Sequence, residues 1–552
     1  MQLLPLFLLA ATSAAQTPQS PLLSGDVDAC HNACAALQTA LGDRVFYDSN
    51  SPLEGFRDEY YSAFQREVVP ACVVTPLSAA DVSEAVNVIR DHQCIFATKS
   101  GGHTMFPGAS NAPGGITLDL KMLNRIEVNV ESETAGVGTG NRWKDVYKVL
   151  EPLNVTVVGG RDSNVGVGGF VLGGEYFVAW TLGGISFVSR RYGWALDNVR
   201  NFEVVLANGS LTNVNQQSSP DLYFALRGGG NNFGIVTRFD LEMHPQGQVW
   251  GGQNIWLFDH ADMSSRRSAL GLTPSRFSWT LNWFLQKAST GVLKVACRLG
   301  YCTTIDKMFE VFLDVVRVDQ VDPYAQLYMS LGYAAQVNAY IAFSALIYSK
   351  PEEHPEVFSK FHAIKNVYST NRFGNLTDMY DELNGWNEGG FRQEWAAITV
   401  QPNKDLLMRF FEVYMQEIEL VKEVNGLIPS MVIQPINKDE IRNFGKNGGN
   451  CLGFEDDEGP YLQIVVSSAF RWTDAADDQA MHTAGKNFID RCTALAKEMD
   501  LLHPYIYQNY ANASQDVFAG YGEKNRKKLK GIQDKYDPEG VFSKLQPGYF
   551  KV

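Results

Sequence analysis

The chain has 552 residues, which is too long for one compact core, so two or more domains are expected. Hydrophobic residues make up 45% and charged residues 20% of it, which are values of a globular protein rather than a disordered one. The net charge of −14 argues against nucleic acid or an anionic membrane as the main partner.

The first residues have the pattern of a secretory signal. Residues 3–11 form an apolar core that is too short to span a bilayer, and Ser13-Ala14-Ala15 offers small residues for cleavage. We therefore expect a signal peptide over residues 1–15 and a secreted protein. A buried N-terminal helix is the alternative. No later stretch is long and apolar enough for a transmembrane helix.

The cysteines also favour an oxidising compartment. The chain has eight of them, and an even number is typical of proteins whose cysteines form disulfide bonds. Cys30 and Cys34 lie four residues apart on a predicted helix and are expected to bond to separate partners, for which Cys72 and Cys94 are candidates. A zinc site is the alternative, but the spacings are not those of a zinc module, and we predict no metal site. N-glycosylation sequons, which agree with secretion, begin at Asn154, Asn208, Asn375 and Asn512.

The predicted elements begin with a lead over residues 16–71, which contains a helix over 28–41 and a loop-rich stretch over 43–65. Cys72-Val73-Val74 is the first strand. Ser78 with Asp81 three residues later resembles a capping box. The helix that follows has the apolar stripe Val82, Ala85, Val86 and Ile89.

A strand over residues 95–98 then ends at Lys99-Ser100-Gly101-Gly102-His103-Thr104, which we call loop 1. Its two glycines have no Cβ, so backbone N–H groups can approach an anion such as a cofactor phosphate. Its position at a strand end is where α/β sheets usually bind ligands. An ordinary turn with a surface histidine explains this hexapeptide equally well.

Two more glycine-rich loops follow. Alternation predicts a half-buried strand over residues 116–120 and another strand over 134–137, before a helix over 143–150 and a strand over 155–158. Loop 2 is residues 157–169. A strand over 202–207 ends at the hairpin signal Asn208-Gly209, and a helix over 221–226 leads to loop 3, residues 227–237. The strand over 235–243 is the last of this half.

The three loops, in this order and spacing, resemble the FAD-binding domain of FAD-linked oxidases of the berberine-bridge-enzyme-like group, in the vanillyl-alcohol-oxidase superfamily. The resemblance is densest from Val73 to Pro245 and returns near the C-terminus. It implies that the chain has an α+β fold of two domains. One is a PCMH-type FAD-binding domain, and the other is a separate α+β substrate domain built on an antiparallel sheet. No loop is a GxGxxG followed by an acidic residue, so a nicotinamide site is not indicated.

The expected domains follow from this resemblance. They are an FAD-binding PCMH-type domain over residues 72–250, a substrate domain over 251–499, and a return to the FAD domain, with a berberine-bridge-like motif, over 500–552. In the substrate domain, strands over 277–283 and 462–466 alternate with helices such as 406–421. Large aromatic residues there line an apolar pocket or form the core; they are Trp283, Phe284, Trp386, Trp395 and Phe470.

One departure from the family pattern lies after loop 2. Family members run through a continuous Leu-Gly-Gly-Gly-Ile-Ser-Phe. Here Leu172-Gly173-Gly174 is followed by an insert, residues 175–183, before the pattern resumes at Gly184-Ile185-Ser186-Phe187. The insert is either a local elaboration of a flavin-wall loop or, as we favour, non-coding sequence kept in the protein sequence by a gene-model error. A translated insert would interfere with flavin binding.

The resemblance implies that His103 carries FAD covalently, through a bond from its imidazole to the 8α carbon of the flavin. Many relatives add a second bond from a cysteine four residues before Gly-Val-Gly-Gly, but that position is Asp162 here. We therefore expect a single tether and a less oxidising flavin than in doubly tethered relatives. The expected cofactor-binding residues are His103, Lys99, Ser100, Gly101, Gly102, Thr104, Gly160, Val165, Gly166, Gly168, Gly169, Gly184, Ile235 and Asn509.

The C-terminal stretch Tyr505-Ile506-Tyr507-Gln508-Asn509-Tyr510 alternates like a strand. It resembles the family's closing motif, in which an aromatic-Asn-Tyr run lies against the flavin ring. Tyr510 is the expected catalytic base, because a phenol beside the ring is polarised by the flavin, and Tyr507 lies next to it. Glu394 is a weaker candidate for this base.

The expected function is that of a secreted FAD-dependent oxidase of natural-product metabolism. It would oxidise a small organic substrate by hydride transfer to the flavin, with O2 as acceptor and H2O2 as product. A carbohydrate or oligosaccharide oxidase is one alternative. A catalytically silent flavin-binding protein is another, if the insert is real.

Overall fold

The computed structural model describes residues 26–47, 52–173, 185–272, 294–317, 322–334, 339–385, 387–455 and 458–552. The α-helices of these ranges that position the site are Val27–Leu41, Pro52–Asp58, Ala63–Arg66, Ala79–His92, Trp143–Leu150, Val167–Leu172, Ser189–Tyr192 and Pro220–Leu226. Those of the later chain are His260–Ala269, Ile305–Val316, Ser359–His362, Leu376–Asn384, Lys404–Val421, Lys438–Arg442, Asp478–Glu498, Val517–Gly520 and Glu523–Tyr536.

The first sheet leads directly into loop 1. Its order is β1-β2-β4-β3, with β1 Val45–Phe46, β2 Cys72–Val74, β3 Phe96–Lys99 and β4 Ile116–Asp119. β2 and β3 run parallel to β4, whereas β1 is antiparallel to β2. The helix between β2 and β3 buries the predicted stripe of Val82, Ala85, Val86 and Ile89, which confirms that prediction.

The expectation that β4 is half-buried is wrong, because all four of its residues are buried. Ile116 and Leu118 pack into the core beneath helix Val27–Leu41. On the opposite face Thr117 donates a hydrogen bond to Asn111, and Asp119 pairs with Lys99. Polar residues of β4 are therefore buried with partners rather than solvated.

Two disulfide bonds fasten helix Val27–Leu41 to this sheet. Cys30 is bonded to Cys94, and Cys34 to Cys72, which confirms that the two helical cysteines have separate partners. A third bond joins Cys297 to Cys302. Disulfides of this kind are typical of proteins folded in an oxidising compartment.

The second sheet is antiparallel and leads into loops 2 and 3. Its strands are β5 Ile126–Asn129, β6 Thr134–Gly138, β7 Val155–Val157, β8 Val199–Val205, β9 Leu211–Val214 and β10 Ile235–Pro245. The order is β5-β6-β10-β8-β9, and β7 also pairs with β10. The predicted hairpin is confirmed, because Asn208-Gly209 joins β8 to β9 and Gly209 has a φ of 77°.

The third sheet occupies the later half of the chain. Its strands are β11 Val249–Phe258, β12 Cys302–Thr303, β13 Ala325–Ala334, β14 Ala339–Tyr348, β15 Tyr368–Ser369, β16 Arg372–Gly374, β17 Arg392–Val400, β18 Ser430–Ile436, β19 Tyr461–Trp472 and β20 Leu502–His503. The order is β12-β11-β14-β13-β18-β19-β17-β20, with β15 and β16 on β11. Every pairing is antiparallel except that of β11 with β12.

The two faces of this sheet have different neighbours. Leu327 and Met329 of β13 pack with Phe410 of helix Lys404–Val421 and Phe488 of helix Asp478–Glu498. The side chain between them, Tyr328, belongs instead to the core that includes loop 2. The sheet is therefore covered by helices on one face and turned toward the glycine-rich loops on the other.

Two further predictions need correction. Residues 43–65 are not simply loop-rich, since they contain β1 and helix Pro52–Asp58 and reach into helix Ala63–Arg66. Residues 505–510 do not form a strand: a single 3-10 turn spans Gln508–Tyr510, closed by the Tyr510 N–H donating to the Tyr507 carbonyl at 3.0 Å.

Other predictions lie outside the described residues. They concern the signal peptide over residues 1–15, Gly184, the insert 175–183, the strand over 277–283, Trp283, Phe284 and Trp386. The side chain of Phe470 is likewise not described. Among the described helices, none combines the length and the apolar character needed to cross a membrane.

Candidate functional site

Loops 1 and 2 meet in direct backbone contact. A Cβ on Gly166 would lie 2.3 Å from the Gly101 nitrogen and 2.6 Å from its Cα. A Cβ on Gly168 would lie 2.4 Å from the Thr139 hydroxyl. Only glycine fits at such distances, so these two positions set how closely the loops approach.

Ser100 joins the same loops by hydrogen bonds. Its hydroxyl donates to the Thr139 carbonyl at 2.6 Å and accepts from the Gly168 N–H at 3.1 Å. Arg142 donates to the carbonyls of Gly101 and Asn164, at 3.2 and 2.9 Å, and so bridges loop 1 to loop 2.

Lys99 has a different environment from the one expected of an anion-binding residue. Its ammonium lies 2.7 Å from Glu59 and 3.2 Å from Asp119, and the side chain is buried. It also lies 4.6 Å from the centroid of the Phe56 ring. These contacts hold the end of β3 in place, and they turn the charge of Lys99 toward two carboxylates of the protein.

His103 stands at the end of loop 1, with 3% of its surface exposed. Its imidazole stacks on the ring of Tyr61, with centroids 4.6 Å apart. The Tyr61 hydroxyl donates to Asn387 at 3.1 Å, and the Asn387 amide donates to Asp162 at 3.0 Å. A continuous chain of contacts therefore links the histidine of loop 1 to the carboxyl group of loop 2.

Asp162 is buried at the position where many relatives have the second tethering cysteine. Its carboxyl accepts from the Asn164 N–H at 2.7 Å. Burial raises the pKa of Asp162 well above its ordinary range, against the effect of this backbone hydrogen bond. The group is therefore biased toward its neutral form.

The start of loop 2 is packed against an aromatic wall. A Cβ on Gly160 would lie 2.6 Å from Trp143, and the Tyr147 hydroxyl donates to the Gly160 carbonyl at 2.7 Å. The Val165 carbonyl accepts a hydrogen bond from the backbone N–H of Trp143 at 3.0 Å. Gly169 lies within the short helix Val167–Leu172 that ends the loop.

Loop 3 meets the C-terminal segment at Gln508. A Cβ on Gly173 would lie 2.4 Å from the Gln508 Oε1, and one on Gly230 would lie 2.6 Å from its Nε2. The Tyr521 hydroxyl donates to Gln508 and to the Gly228 carbonyl, at 3.2 and 3.0 Å. Ile235, where loop 3 enters β10, is buried and pairs with β8.

The aromatic residues of the closing motif are packed against each other. The rings of Tyr507 and Tyr510 are 4.7 Å apart and almost perpendicular, at 83°. Tyr510 stacks on Trp395 of β17 at 5.2 Å, and Asn509 donates to the Tyr507 hydroxyl at 2.8 Å. Burial raises the pKa of Tyr507 well above its ordinary value, while the charge of Arg161 lowers it.

These segments fit a cofactor with many polar groups. Buried polar atoms from each segment have no hydrogen-bond partner among the described residues; they are the Thr104 hydroxyl, the Trp143 indole nitrogen, the Ser163 hydroxyl, Gln508 Nε2 and Asn509 Oδ1. Unpaired buried polar atoms are costly and therefore rare in native proteins. The phosphates, hydroxyls and ring heteroatoms of FAD would supply such partners.

Glu394 does not lie with these residues. Its two carboxylate oxygens are 2.6 Å from the Nδ1 of His482 and 2.6 Å from the Asn512 amide. The neighbouring helix Asp478–Glu498 approaches it closely, since a Cβ on Gly485 would lie 3.5 Å from Glu394. Its contacts are therefore structural ones on the helix side of β17.

Several residues of the site were not found from the sequence. Tyr61 and Asn387 are distant from loop 1 in the chain and lie in stretches without a motif, so no signal identified them. Gln508 stands between two residues that were singled out, and Arg161 is a charged residue inside a glycine-rich loop. Those two positions could have been found from their neighbours.

Comparisons with known proteins agree with this geometry. The FAD binding domain family matches residues 70–215. An FAD-dependent monooxygenase of Cochliobolus heterostrophus is 34% identical over 578 aligned positions that cover 100% of both chains. One of Fusarium proliferatum is 34% identical over 551 positions and covers 96% of each.

Solved structures support the fold. The 6-hydroxy-D-nicotine oxidase of Arthrobacter nicotinovorans superposes with a TM-score of 0.68 at 16% identity, covering 90% of this chain and 96% of that one. BBE-like 1 of Physcomitrella patens gives 0.66 at 18% identity, covering 94% and 99%. The expected α+β, PCMH-type fold is confirmed. The chain belongs to a family of FAD-dependent oxidoreductases, and its fold is that of the berberine-bridge-enzyme-like proteins, which the glycine-rich loops had indicated.

Proposed function

We propose that this protein is a secreted oxidase of natural-product metabolism with a covalently bound FAD. The observation that carries the proposal is the buried His103, which ends loop 1 where loops 1 and 2 meet and is stacked on Tyr61. The three disulfide bonds among the described residues agree with secretion. When bound, FAD would accept a hydride from the substrate and pass the electrons to dioxygen, giving hydrogen peroxide.

The residues of loops 1 and 2 would hold the cofactor. His103 would carry it through its imidazole, and the stacked Tyr61 ring would fix the orientation of that imidazole. Ser100, Gly101, Gly102 and Thr104 would bind it from loop 1, and Gly160, Val165, Gly166, Gly168 and Gly169 from loop 2. Because Asp162 has no thiol, the tether would be single. Lys99 would act by keeping loop 1 in place, given its two carboxylate partners.

The closing motif would orient the substrate and handle its proton. Tyr507 is buried with a raised pKa, so at neutral pH it would retain its proton and donate a hydrogen bond. Tyr510, fixed between Tyr507 and Trp395, would act as the base in its phenolate form and accept the substrate's proton. Both rings are buried and would exclude water from the reacting atoms.

Oxygen insertion is a second candidate, because the two relatives are named FAD-dependent monooxygenases. The two reactions differ in their electron balance. An oxidase takes two electrons from its substrate and releases one peroxide per turnover. A monooxygenase places one oxygen atom in the product, reduces the other to water and needs two further electrons.

The experiment uses the purified protein. Yellow colour that survives acid precipitation would support the covalent flavin, whereas colourless protein would contradict it. Yellow protein that turns over none of the substrates would support the catalytically silent alternative. Peroxide release is then measured across aromatic alcohols and sugars, which separates natural-product from carbohydrate oxidation. Turnover under 18O2 distinguishes the two reactions: peroxide without labelled product supports the oxidase, and a labelled product without peroxide overturns it in favour of the monooxygenase.

A further inference from the structure

A row of buried polar side chains crosses the third sheet on the face turned toward loop 2. Gln434 of β18 pairs with Gln463 of β19, and Gln463 pairs with Thr399 of β17. β13 and β18 run antiparallel, and Met329 of β13 pairs with Ile433 of β18. Tyr328, which precedes Met329, therefore lies across from Gln434, which follows Ile433. We call Tyr328, Gln434, Gln463 and Thr399 the polar row. None of the four is more than 1% exposed.

Some hydrogen-bonding atoms of the polar row have no partner among the described residues of the protein. Gln434 donates to Gln463 at 3.1 Å. The Tyr328 hydroxyl, the Gln463 Nε2 and the Thr399 hydroxyl have no partner in the part of the chain that the structure describes. Buried polar atoms are nearly always bonded in native proteins. Three such atoms, on β13, β19 and β17 of one sheet, therefore point to a ligand that bonds to them.

Arg161 adds a positive charge to this surface. It belongs to loop 2, is fully buried, and donates to the Gln434 Oε1 at 2.6 Å. Its guanidinium lies 5.4 Å from the centroid of the Tyr328 ring. The polar row itself contains no carboxylate, and the carboxyl of the adjacent Asp162 bonds to Asn164 and Asn387. Such a surface favours an oxygen with negative charge and disfavours an ammonium group.

Aromatic rings border the polar row. The Phe187 ring lies 5.7 Å from the Arg161 guanidinium. Trp395, on the same face of β17, stacks on Tyr510 of the closing motif. Flat rings of this kind pack well against another flat ring.

We propose that Arg161 and the polar row bind the substrate, and that the substrate is a flat aromatic compound with an ionisable oxygen, a phenol or an enolised ketone. The oxygen would lie at the guanidinium, and further oxygens of the ring system would bond to the polar row. This proposal rests on the proposed function, because it places the substrate beside the flavin loops.

Binding of matched probes to the holoprotein tests the substrate class. The probes are 2-naphthol, its cationic analogue 2-(aminomethyl)naphthalene, and cellobiose. Binding of the two naphthalenes is followed by their own fluorescence, and that of cellobiose by competition with 2-naphthol. We expect 2-naphthol to bind at least about ten-fold more tightly than either of the others. Equal or tighter binding of the amine or of cellobiose would overturn the proposal.

Variants then test the residues. Arg161→Gln should weaken 2-naphthol binding by about ten- to hundred-fold, the range for a hydrogen bond to a charged group. Arg191→Gln is the matched control, since Arg191 also donates to a glutamine, Gln246, and lies over two tyrosine rings, 4.6 and 5.0 Å from their centroids. The Arg191→Gln protein should bind 2-naphthol with the affinity of the wild type.

Variants of the polar row test the proposal independently, in case Arg161→Gln does not fold. Gln463→Met and Thr399→Val should each weaken binding by about three- to ten-fold, the range for a neutral hydrogen bond. Unchanged affinity in these variants would overturn the proposal. Flavin content after acid precipitation is measured in the same samples. A wild-type protein without flavin refutes the proposed function, whereas a flavin-loaded variant with unchanged affinity refutes only the assignment of the polar row.

Discussion

The imidazole of His103 and the ring of Tyr61 lie nearly parallel, with centroids 4.6 Å apart and planes 20° apart. Tyr61 is in turn held by Asn387 through its hydroxyl. The stack fixes one face of the imidazole, so the histidine is presented in a single orientation. Such a fixed orientation is compatible with the proposed covalent bond from a ring nitrogen to the flavin.

The first prediction concerns His103→Ala. Flavin should become extractable with acid, and activity should fall strongly, because the covalent bond is lost while the other contacts of loops 1 and 2 remain. Mass spectrometry of the peptide that spans loop 1 measures the tether directly. Tyr61→Phe keeps the ring and serves as the control, with the tether retained. Covalent flavin in His103→Ala would move the attachment point elsewhere.

The second prediction concerns the contact between loops 1 and 2. Gly166→Ala would place a Cβ 2.3 Å from the Gly101 nitrogen, so the backbone must move. We expect a loss of about 1–3 kcal/mol in the free energy of unfolding, as for other overpacked sites, and a lower flavin content. Urea unfolding and the visible spectrum measure both.

Gly531→Ala is the control for Gly166→Ala. A Cβ on Gly531 would meet no atom within 4 Å, and the residue lies in helix Glu523–Tyr536. This variant should be more stable by about 0.5–1 kcal/mol, since alanine favours the helix. A Gly166→Ala protein with normal stability and normal flavin content would contradict the close contact.

The third prediction concerns pH and Asp162, whose pKa burial raises well above its ordinary range. Between its unfolded pKa, about 4, and its folded pKa, the native state holds a proton that the unfolded state has released. The titration of Asp162 therefore lowers the free energy of unfolding as pH rises through this range, by up to about 1.4 kcal/mol per pH unit. Asp162→Asn removes it.

The measurement is urea unfolding of both proteins from pH 4 to pH 8. The difference in stability, variant minus wild type, should increase with pH, because other titrating groups are common to both proteins and cancel. An equal pH dependence in the two proteins would show that the carboxyl of Asp162 is ionised in the native state.

The fourth prediction concerns Glu394 and His482. Burial lowers the pKa of His482, but the hydrogen bond to Glu394 and the nearby charges outweigh it and raise the pKa above its ordinary value. A raised histidine pKa stabilises the fold fully below about pH 6.5, and that contribution is lost as pH rises through the folded pKa.

Glu394→Gln should therefore cost about 1 kcal/mol at pH 6 and less at pH 9, as for other partly exposed ion pairs. Since Glu394 lies on the helix side of β17, kcat should change little. His482→Gln is the matched control with the same pH trend. A large fall in kcat at unchanged stability would restore Glu394 as a candidate base.

Local patterns predicted much of the fold. The stripe from Val82 to Ile89 is buried because a period of 3.6 residues reports one helix face, whatever the helix packs against. The hairpin at Asn208-Gly209 is confirmed because the turn requires a positive φ at Gly209. The three glycine-rich loops were found for the same reason, since glycine marks positions that no other residue fits.

Contacts between distant segments were not predictable. Nothing in the sequence around Tyr61 or Asn387 indicates a partner near His103, because these three residues are distant in the chain and meet only in the folded protein. The alternation at residues 505–510 predicted a strand, but Tyr507 and Tyr510, three residues apart, are brought together by a tight turn. A short alternating run of aromatic residues does not distinguish these conformations.

Gln508 lies against both Gly173 and Gly230, so the wall between loop 2 and loop 3 is completed from near the C-terminal end. A growing chain that has already released residues 99–169 from the ribosome still lacks that amide and the rings on either side of it. This part of the wall is therefore complete only after residue 508 has been synthesised. A truncation before residue 508 would leave a protein with the proposed tethering histidine but without the Gln508 side of the proposed cofactor site.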